Sequence, residues 1–276
     1  MRSFASIIIF LLFSFVFIHI GLSKAGEPRT EKQKVLSSEN NQKLEHTPWG
    51  YRGVEGPEHW AMVNPSYMTC ETGRQQSPIN IVMPRHGHDQ ENLQFHYQPT
   101  PLTIRNNGHT IQVNYQAGSY LRLNGRSYKL RQFHFHDPSE HHIDGKVYPM
   151  EMHLVHQDKR GHLLVVGVLL ELGKENPVFA RVGDWMQKHT GQRLPSKGQE
   201  VTTELIVNLM DVLPHETHHF SYHGSLTTPP CSEGVQWLVL KTTIEISQIQ
   251  ADRFITTIGP NARPLQPLHQ RKLLEQ

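Results

Sequence analysis

The chain has 276 residues, enough for one domain of somewhat over about 200 residues with a sizeable core once the N-terminal segment is set aside. Lys and Arg total 27 against 25 Asp and Glu, so the basic footprint of a nucleic-acid binder is missing and a small neutral or mildly anionic substrate fits better than a polyanion. Twenty histidines are the compositional outlier; one site uses three or four, so His86, His88, His96, His218, His219 and His223 read as surface or structural residues.

Met1-Arg2 supplies a short positive start, Ile7 to Ile20 is almost wholly apolar, and Ser23-Lys24-Ala25 gives a small-x-small cleavage pattern. Residues 1–25 therefore read as a signal peptide, with an uncleaved membrane anchor as the alternative; either way the protein is exported, to the periplasm or the medium. Residues 26–47 are polar, charged and aperiodic, as expected of a disordered tether, and a single domain is expected over 48–276. Export also favours pairing of the only two cysteines, Cys70 and Cys231, over two free thiols or a metal pair, for which their spacing gives no zinc-knuckle pattern. Closing a loop of about 160 residues would remove on the order of 5 kcal/mol of denatured-state freedom.

Within the domain, aromatic and turn residues from Trp49 to Trp60 could fold back over a core. Ile104 to Leu130 has the pattern of short strands, with Asn124-Gly125 marking a hairpin. In Gln132-Phe133-His134-Phe135-His136, period-two alternation puts Gln132, His134 and His136 on one strand face and both phenylalanines on the other. Glu151-Met152-His153-Leu154-Val155 repeats the alternation and adds a third histidine. Leu163 to Leu170 suits a strand buried on both faces, the centre of the sheet. Asn176-Pro177 starts one helix, and Ser247 with Gln250 forms a capping box for a second that Gly259-Pro260 ends. The fold class is thus mainly β (α+β), a large, mostly antiparallel twisted sheet with a few peripheral short helices.

Three neutral imidazoles, His134, His136 and His153, with an open fourth position are what a catalytic zinc needs. Zinc there would lower the pKa of water to about 7. His-x-His alone also decorates surfaces. Its weight rises because Gln132 and Glu151 each lie two residues before a histidine, on the same face, where each can accept the ring's other N–H.

The chain resembles the α-class carbonic anhydrases, the secreted bacterial members in particular, from Trp49-Gly50-Tyr51 to Pro267-Leu268. The resemblance rests on Gly56-Pro57-Glu58-His59-Trp60, Gln76-Ser77-Pro78-Ile79-Asn80-Ile81, Asn106-Asn107-Gly108-His109, Phe133-His134-Phe135-His136, Ser139-Glu140-His141, Glu151-Met152-His153-Leu154-Val155-His156, Ser225-Leu226-Thr227-Thr228-Pro229-Pro230 and Asn261-Ala262-Arg263-Pro264. It implies the α-carbonic anhydrase fold and reversible hydration of carbon dioxide to bicarbonate and a proton, by attack of a zinc hydroxide. His134, His136 and His153 match the metal ligands, supported by Gln132, Glu151 and Asn261. Thr227 and Glu140 match the pair that orients the hydroxide: an ionised Glu140 only accepts, so Thr227 donates to it and can then only accept. His109 matches the proton shuttle. Tyr51, Asn107 and Gln112 match the polar side of the pocket, with Gln112 in place of an asparagine common in animal members. Thr228 belongs to the pocket, and Val155, Val165, Leu226, Val235 and Trp237 match its apolar wall. Cys70 and Cys231 match the disulfide of extracytoplasmic members.

Two departures from animal members stand out. The chain between His136 and Glu140 is only Asp137-Pro138-Ser139, and Gln157 replaces a tryptophan, which should alter the outer core and leave the metal site alone. The resemblance also implies inhibition by sulfonamides and anions, and the bacterial members suggest a homodimer. Two other functions fit the fold, a non-catalytic binding module and an ester-cleaving zinc hydrolase. The full ligand set argues against the first, and no nucleophile elbow or extended cleft supports the second.

Overall fold

The computed structural model describes residues 49–86 and 91–276; the leader and tether expected from the sequence, and His88, lie outside the described residues. In chain order the strands are β1 (Asn80–Ile81), β2 (Arg85–His86), β3 (Leu93–His96), β4 (Thr100–Asn106), β5 (Ile111–Asn114), β6 (Tyr120–Leu123), β7 (Arg126–His136), β8 (His142–Ile143), β9 (Met150–Gln157), β10 (Leu163–Leu172), β11 (Glu200–Val207), β12 (His219–Ser225), β13 (Glu233–Leu240), β14 (Ile244–Ile246) and β15 (Leu274–Glu275). The α-helices are α1 (Trp60–Val63), α2 (Thr69–Thr72), α3 (Pro177–Thr190) and α4 (Gln248–Ile258).

Thirteen strands form one sheet whose main path runs β11-β4-β5-β7-β9-β10-β13-β12-β15-β2, while β1 and β8 make a separate parallel pair. Pairing is mostly antiparallel; β10 runs parallel to β13 and β14, and β15 to β2. The β6–β7 turn is built on Asn124 and Gly125, with φ of 50° and 81°, the left-handed pair that a two-residue hairpin requires.

The apolar run of β10 has a plain cause. Leu164, Val166, Val168 and Leu170 face a core under α3 and α4, and Val165 and Leu169 face a second core with Val235, Trp237, Val239 and Tyr222. A strand buried on both faces has no polar face to show. The same two-sidedness splits β7: Phe133 lies in the helix-side core with Phe135 packed against it, so His134 and His136 are left on the opposite face.

The two longer helices, α3 and α4, begin where their caps predict. Asn176 Oδ1 accepts the backbone N–H groups of Val178 and Phe179, and Ser247 with Gln250 closes a capping box. A third cluster joins fully buried Trp60 to Cys70 and Cys231, with Trp49, Tyr51 and Tyr67 against it. Cys70 and Cys231 are disulfide-bonded, with Cα atoms 5.0 Å apart. Of the histidines expected to be surface or structural, His86, His218 and His223 are exposed, His96 stacks on Tyr120, and buried His219 meets Glu91 at 2.9 Å.

Candidate active site

Strand register assembles the site. His134 lies opposite His153 across the β7–β9 pair, and Glu151 lies opposite His136. The nitrogens of His134, His136 and His153 that face one another lie within 4.8 Å. Each ring's other nitrogen is occupied. His134 Nδ1 donates to Gln132 Oε1 at 2.9 Å, His136 Nδ1 to the Asn261 carbonyl at 2.8 Å, and His153 Nε2 to Glu151 Oε1 at 2.8 Å. Those bonds fix the tautomers and leave lone pairs on Nε2, Nε2 and Nδ1 turned inward. The inward His136 Nε2 is buried and has no hydrogen-bond partner.

Burial lowers the pKa of all three imidazoles; His134 is pushed well below the usual range, with further lowering from His136 and His153, and His136 falls to about 4. They are therefore neutral at pH 7, as metal donors must be. Three neutral nitrogens around one point, one of them orphaned, fit a tetrahedral Zn²⁺ with an open fourth position.

Glu151 anchors the layer behind them. Its Oε2 accepts the backbone N–H groups of Glu140 and His141, at 2.9 and 2.8 Å. Its Oε1 accepts from His153 and from His141 Nδ1. Burial alone would raise this carboxyl, but His141 and His153 outweigh it and hold it well below the carboxylate range. His141 Nε2 in turn meets the Tyr222 hydroxyl at 2.7 Å. With both ring nitrogens engaged, His141 is not available as a ligand, although it stands close to Glu151 and His153. Gly167 makes room for this carboxylate: a Cβ there would meet Glu151 Oε1 at 2.7 Å.

Glu140 is fully buried, and its Oε1 accepts the Arg263 backbone N–H at 2.9 Å. Burial pushes its pKa up to about 7, against the pull of His153 and of the Thr227 hydroxyl. Oε2 has no partner in bonding geometry, so Thr227 is near without having closed a hydrogen bond. The Arg263 guanidinium donates to the carbonyls of Cys70 and Ser77, both at 2.8 Å, and to Gln76 Oε1 at 2.9 Å. Cys231 N–H donates to the Thr228 carbonyl at 2.9 Å. The disulfide thus sits between the segment that carries Thr227 and Thr228 and the arginine beside Glu140.

His109 is half-buried and stacks on Trp49, ring centroids 3.8 Å apart and planes within 5°. Partial burial and the Lys197 charge lower its pKa, and Glu55 opposes them. The Asn107 side chain accepts the backbone N–H groups of His109 and Thr110, both at 2.9 Å, so its carbonyl shapes the loop that holds His109. Asn261 Nδ2 donates to the carbonyls of His109 and Phe135, tying this loop to β7. Gln112 lies opposite His134 in the sheet and donates to Asn114 Oδ1 at 2.7 Å. Tyr51 packs edge-on to Trp49 and Trp60, and its phenol is raised by burial first and by Glu140 second.

Val165, Val235 and Trp237 are buried together with Val155 and Leu226 against them, so the residues expected to form an apolar wall make one cluster. Trp237 lies edge-on to His153, centroids 4.8 Å apart, and donates its indole N–H to the Ser225 carbonyl. Gln157 is half-buried at the outer end of β9, accepting from Arg131.

Sequence reasoning gave no role to His141, Tyr222, Arg263 or Gly167. A glycine inside the most apolar run was the available signal for the last, since only a close approach justifies it there.

Residues 55–276 match the family model described as eukaryotic-type carbonic anhydrase. A carbonic anhydrase of Nostoc sp. is 43% identical over 231 residues, 82% of this chain and 85% of the relative. One from Neisseria gonorrhoeae is 42% identical over 232 residues, 83% of this chain and 88% of the relative. The structure of the α-carbonic anhydrase from Thermovibrio ammonificans in complex with the inhibitor sulfanilamide superposes with a TM-score of 0.77 at 40% identity, over 83% of this chain and 99% of that one. With its sheet, its histidine cluster and these likenesses in agreement, the chain belongs to the α-carbonic anhydrase family and is a carbonic anhydrase.

Proposed function

We propose that the protein hydrates carbon dioxide reversibly to bicarbonate and a proton, with Zn²⁺ held by His134 Nε2, His136 Nε2 and His153 Nδ1. The observation that carries this reading is the convergence of three inward lone pairs, each set by a hydrogen bond on the far side of its ring. Zinc bound there supplies a Lewis acid that brings the pKa of water to about 7, and with it a nucleophile at neutral pH.

The chain's own residues do the rest. Once Glu140 is ionised and Thr227 closes a hydrogen bond to its unpartnered Oε2, the Thr227 oxygen has only lone pairs to offer the nucleophile and so aims it. The wall of Val155, Val165, Leu226, Val235 and Trp237 receives carbon dioxide, which carries no charge and makes few hydrogen-bonding demands. The backbone N–H of Thr227 meets a substrate oxygen. His109, on the Asn107-capped loop, carries the proton to buffer, and the lowering of its pKa by partial burial and Lys197 favours its release there. Tyr51, Asn107 and Gln112 hold water on the polar side, and Thr228 completes the pocket. Export past a leader of residues 1–25, with 26–47 as a tether, agrees with the Cys70–Cys231 disulfide. A sulfonamide that gives its N–H to Thr227 is expected to inhibit, as sulfanilamide does the Thermovibrio relative.

Stopped-flow hydration of carbon dioxide by the mature protein tests the proposal. Activity well above buffer, blocked by sulfanilamide, is expected; a rate equal to buffer alone overturns it.

A further inference from the structure

Behind β7, on the face opposite the histidines, the helix-side core is not filled. A cavity of about 110 Å³ lies between the sheet and helices α3 and α4, lined chiefly by apolar side chains that include Phe133, Phe135, Phe179 and Phe254. Dry apolar cavities of about 150 Å³ take benzene or xenon, so this space is of the order of one small ring or short branched chain.

Gly183 on α3 helps to keep it open. The residue is buried in the middle of a helix, where glycine is unfavourable relative to alanine, yet its φ is not positive, and a Cβ there would meet nothing nearer than the Arg193 carbonyl oxygen at 4.0 Å. Neither backbone conformation nor close approach requires a glycine at this position. A side chain would project where the void is.

The cavity has a polar end. Arg193, Leu194 and Arg253 line both it and an outer depression between α4 and the segment after α3. Arg193 is paired with Asp184, and Asp252 on the outer rim accepts from Gln248. Gln250 spends its amide on the Asn176 and Ser247 backbone. Arg253 is only partly exposed, and among the described residues its guanidinium has no carboxylate or hydrogen-bond partner. An apolar chamber with a guanidinium that makes no hydrogen bond or ion pair at its mouth suits a molecule with an apolar body and one negative head.

We infer that this cavity is a binding site for a compact amphiphilic carboxylate, its ring or branched chain against Phe135, Phe179 and Phe254 and its carboxylate on Arg253. Fluorine NMR of the zinc-loaded mature protein, with sulfanilamide present throughout to keep carboxylates from the histidine site, tests this with 4-fluorobenzoate and fluorobenzene as probes. Saturable binding of both is expected, at least fivefold tighter for the carboxylate. Gly183→Leu should abolish both signals while the protein melts no lower than wild type. Arg253→Gln should weaken 4-fluorobenzoate about fivefold or more and leave fluorobenzene unchanged. No saturable binding to the wild type, or binding that survives Gly183→Leu, overturns the site; equal 4-fluorobenzoate affinity in Arg253→Gln overturns the anionic head.

Discussion

Replacing Glu151 by Gln keeps the shape of the side chain and removes both its charge and half its accepting capacity. The carboxylate accepts four N–H groups: two from the Glu140 and His141 backbone on Oε2, and two imidazole donors on Oε1. An amide has one oxygen and must choose. If the oxygen faces the imidazoles, two buried backbone donors face an NH₂ group and lose their acceptor, at about 1–3 kcal/mol each. A loss of about 2–6 kcal/mol lowers the melting temperature of a domain this size by at least about 4 °C. If the amide turns over, the NH₂ group faces His153 Nε2, which must then accept, and the His153 proton moves to Nδ1, the atom proposed to hold the metal. Loss of such an outer partner typically costs ten- to a hundredfold in metal affinity. Thermal melts of the zinc-free protein together with zinc affinity by chelator competition separate the two cases. A variant unchanged in both would refute the assignment of Glu151 as the anchor of His153.

Four further outcomes follow from the same geometry. Acid should destabilise the zinc-free protein: His134, His136, His153 and His156 have folded pKa values below 6.5, so the unfolded chain binds more protons and stability falls as pH drops below about 6.5. Glu140 and Asp137, raised to about 7 and about 6, act in the opposite sense as pH falls from 7 towards 4.5, but they are two groups against four; a melting temperature that is flat or rising between pH 7 and 5 would contradict this. Reduction of Cys70–Cys231, or Cys231→Ser, should lower the melting temperature by up to the equivalent of about 5 kcal/mol, and an unchanged melt would show that the bridge contributes nothing. His109→Ala should slow turnover in weak buffer, with partial rescue by added imidazole; unaltered turnover would reassign the proton exit. His134→Ala should remove metal and activity together, so metal retained at full stoichiometry would remove it from the ligand set.

Features that depend on a single element could be read from the residues. Alternation alone separated His134 and His136 from Phe133 and Phe135, and the caps at Asn176 and Ser247 located both longer helices, because each signal lies within a few residues of its effect. Features that depend on which strands meet could not. His141 stands in the chain as one of twenty histidines, and only the fold brings its ring between Glu151 and Tyr222, 10 and 81 residues away. Arg263 likewise reaches the Cys70 carbonyl across 193 residues. Asn107 offers a third lesson. The sequence suggested a place on the polar side of the pocket, whereas its side-chain carbonyl is committed to the local turn, since a short amide side chain meets its own backbone before it meets anything distant.

The most direct test of the central claim is a zinc titration of the chelated protein, read by carbon dioxide hydration. The histidine geometry predicts no activity without metal and a linear return that saturates at one zinc per chain. Full activity in the chelated protein, or no activity at one bound zinc per chain, would contradict the account.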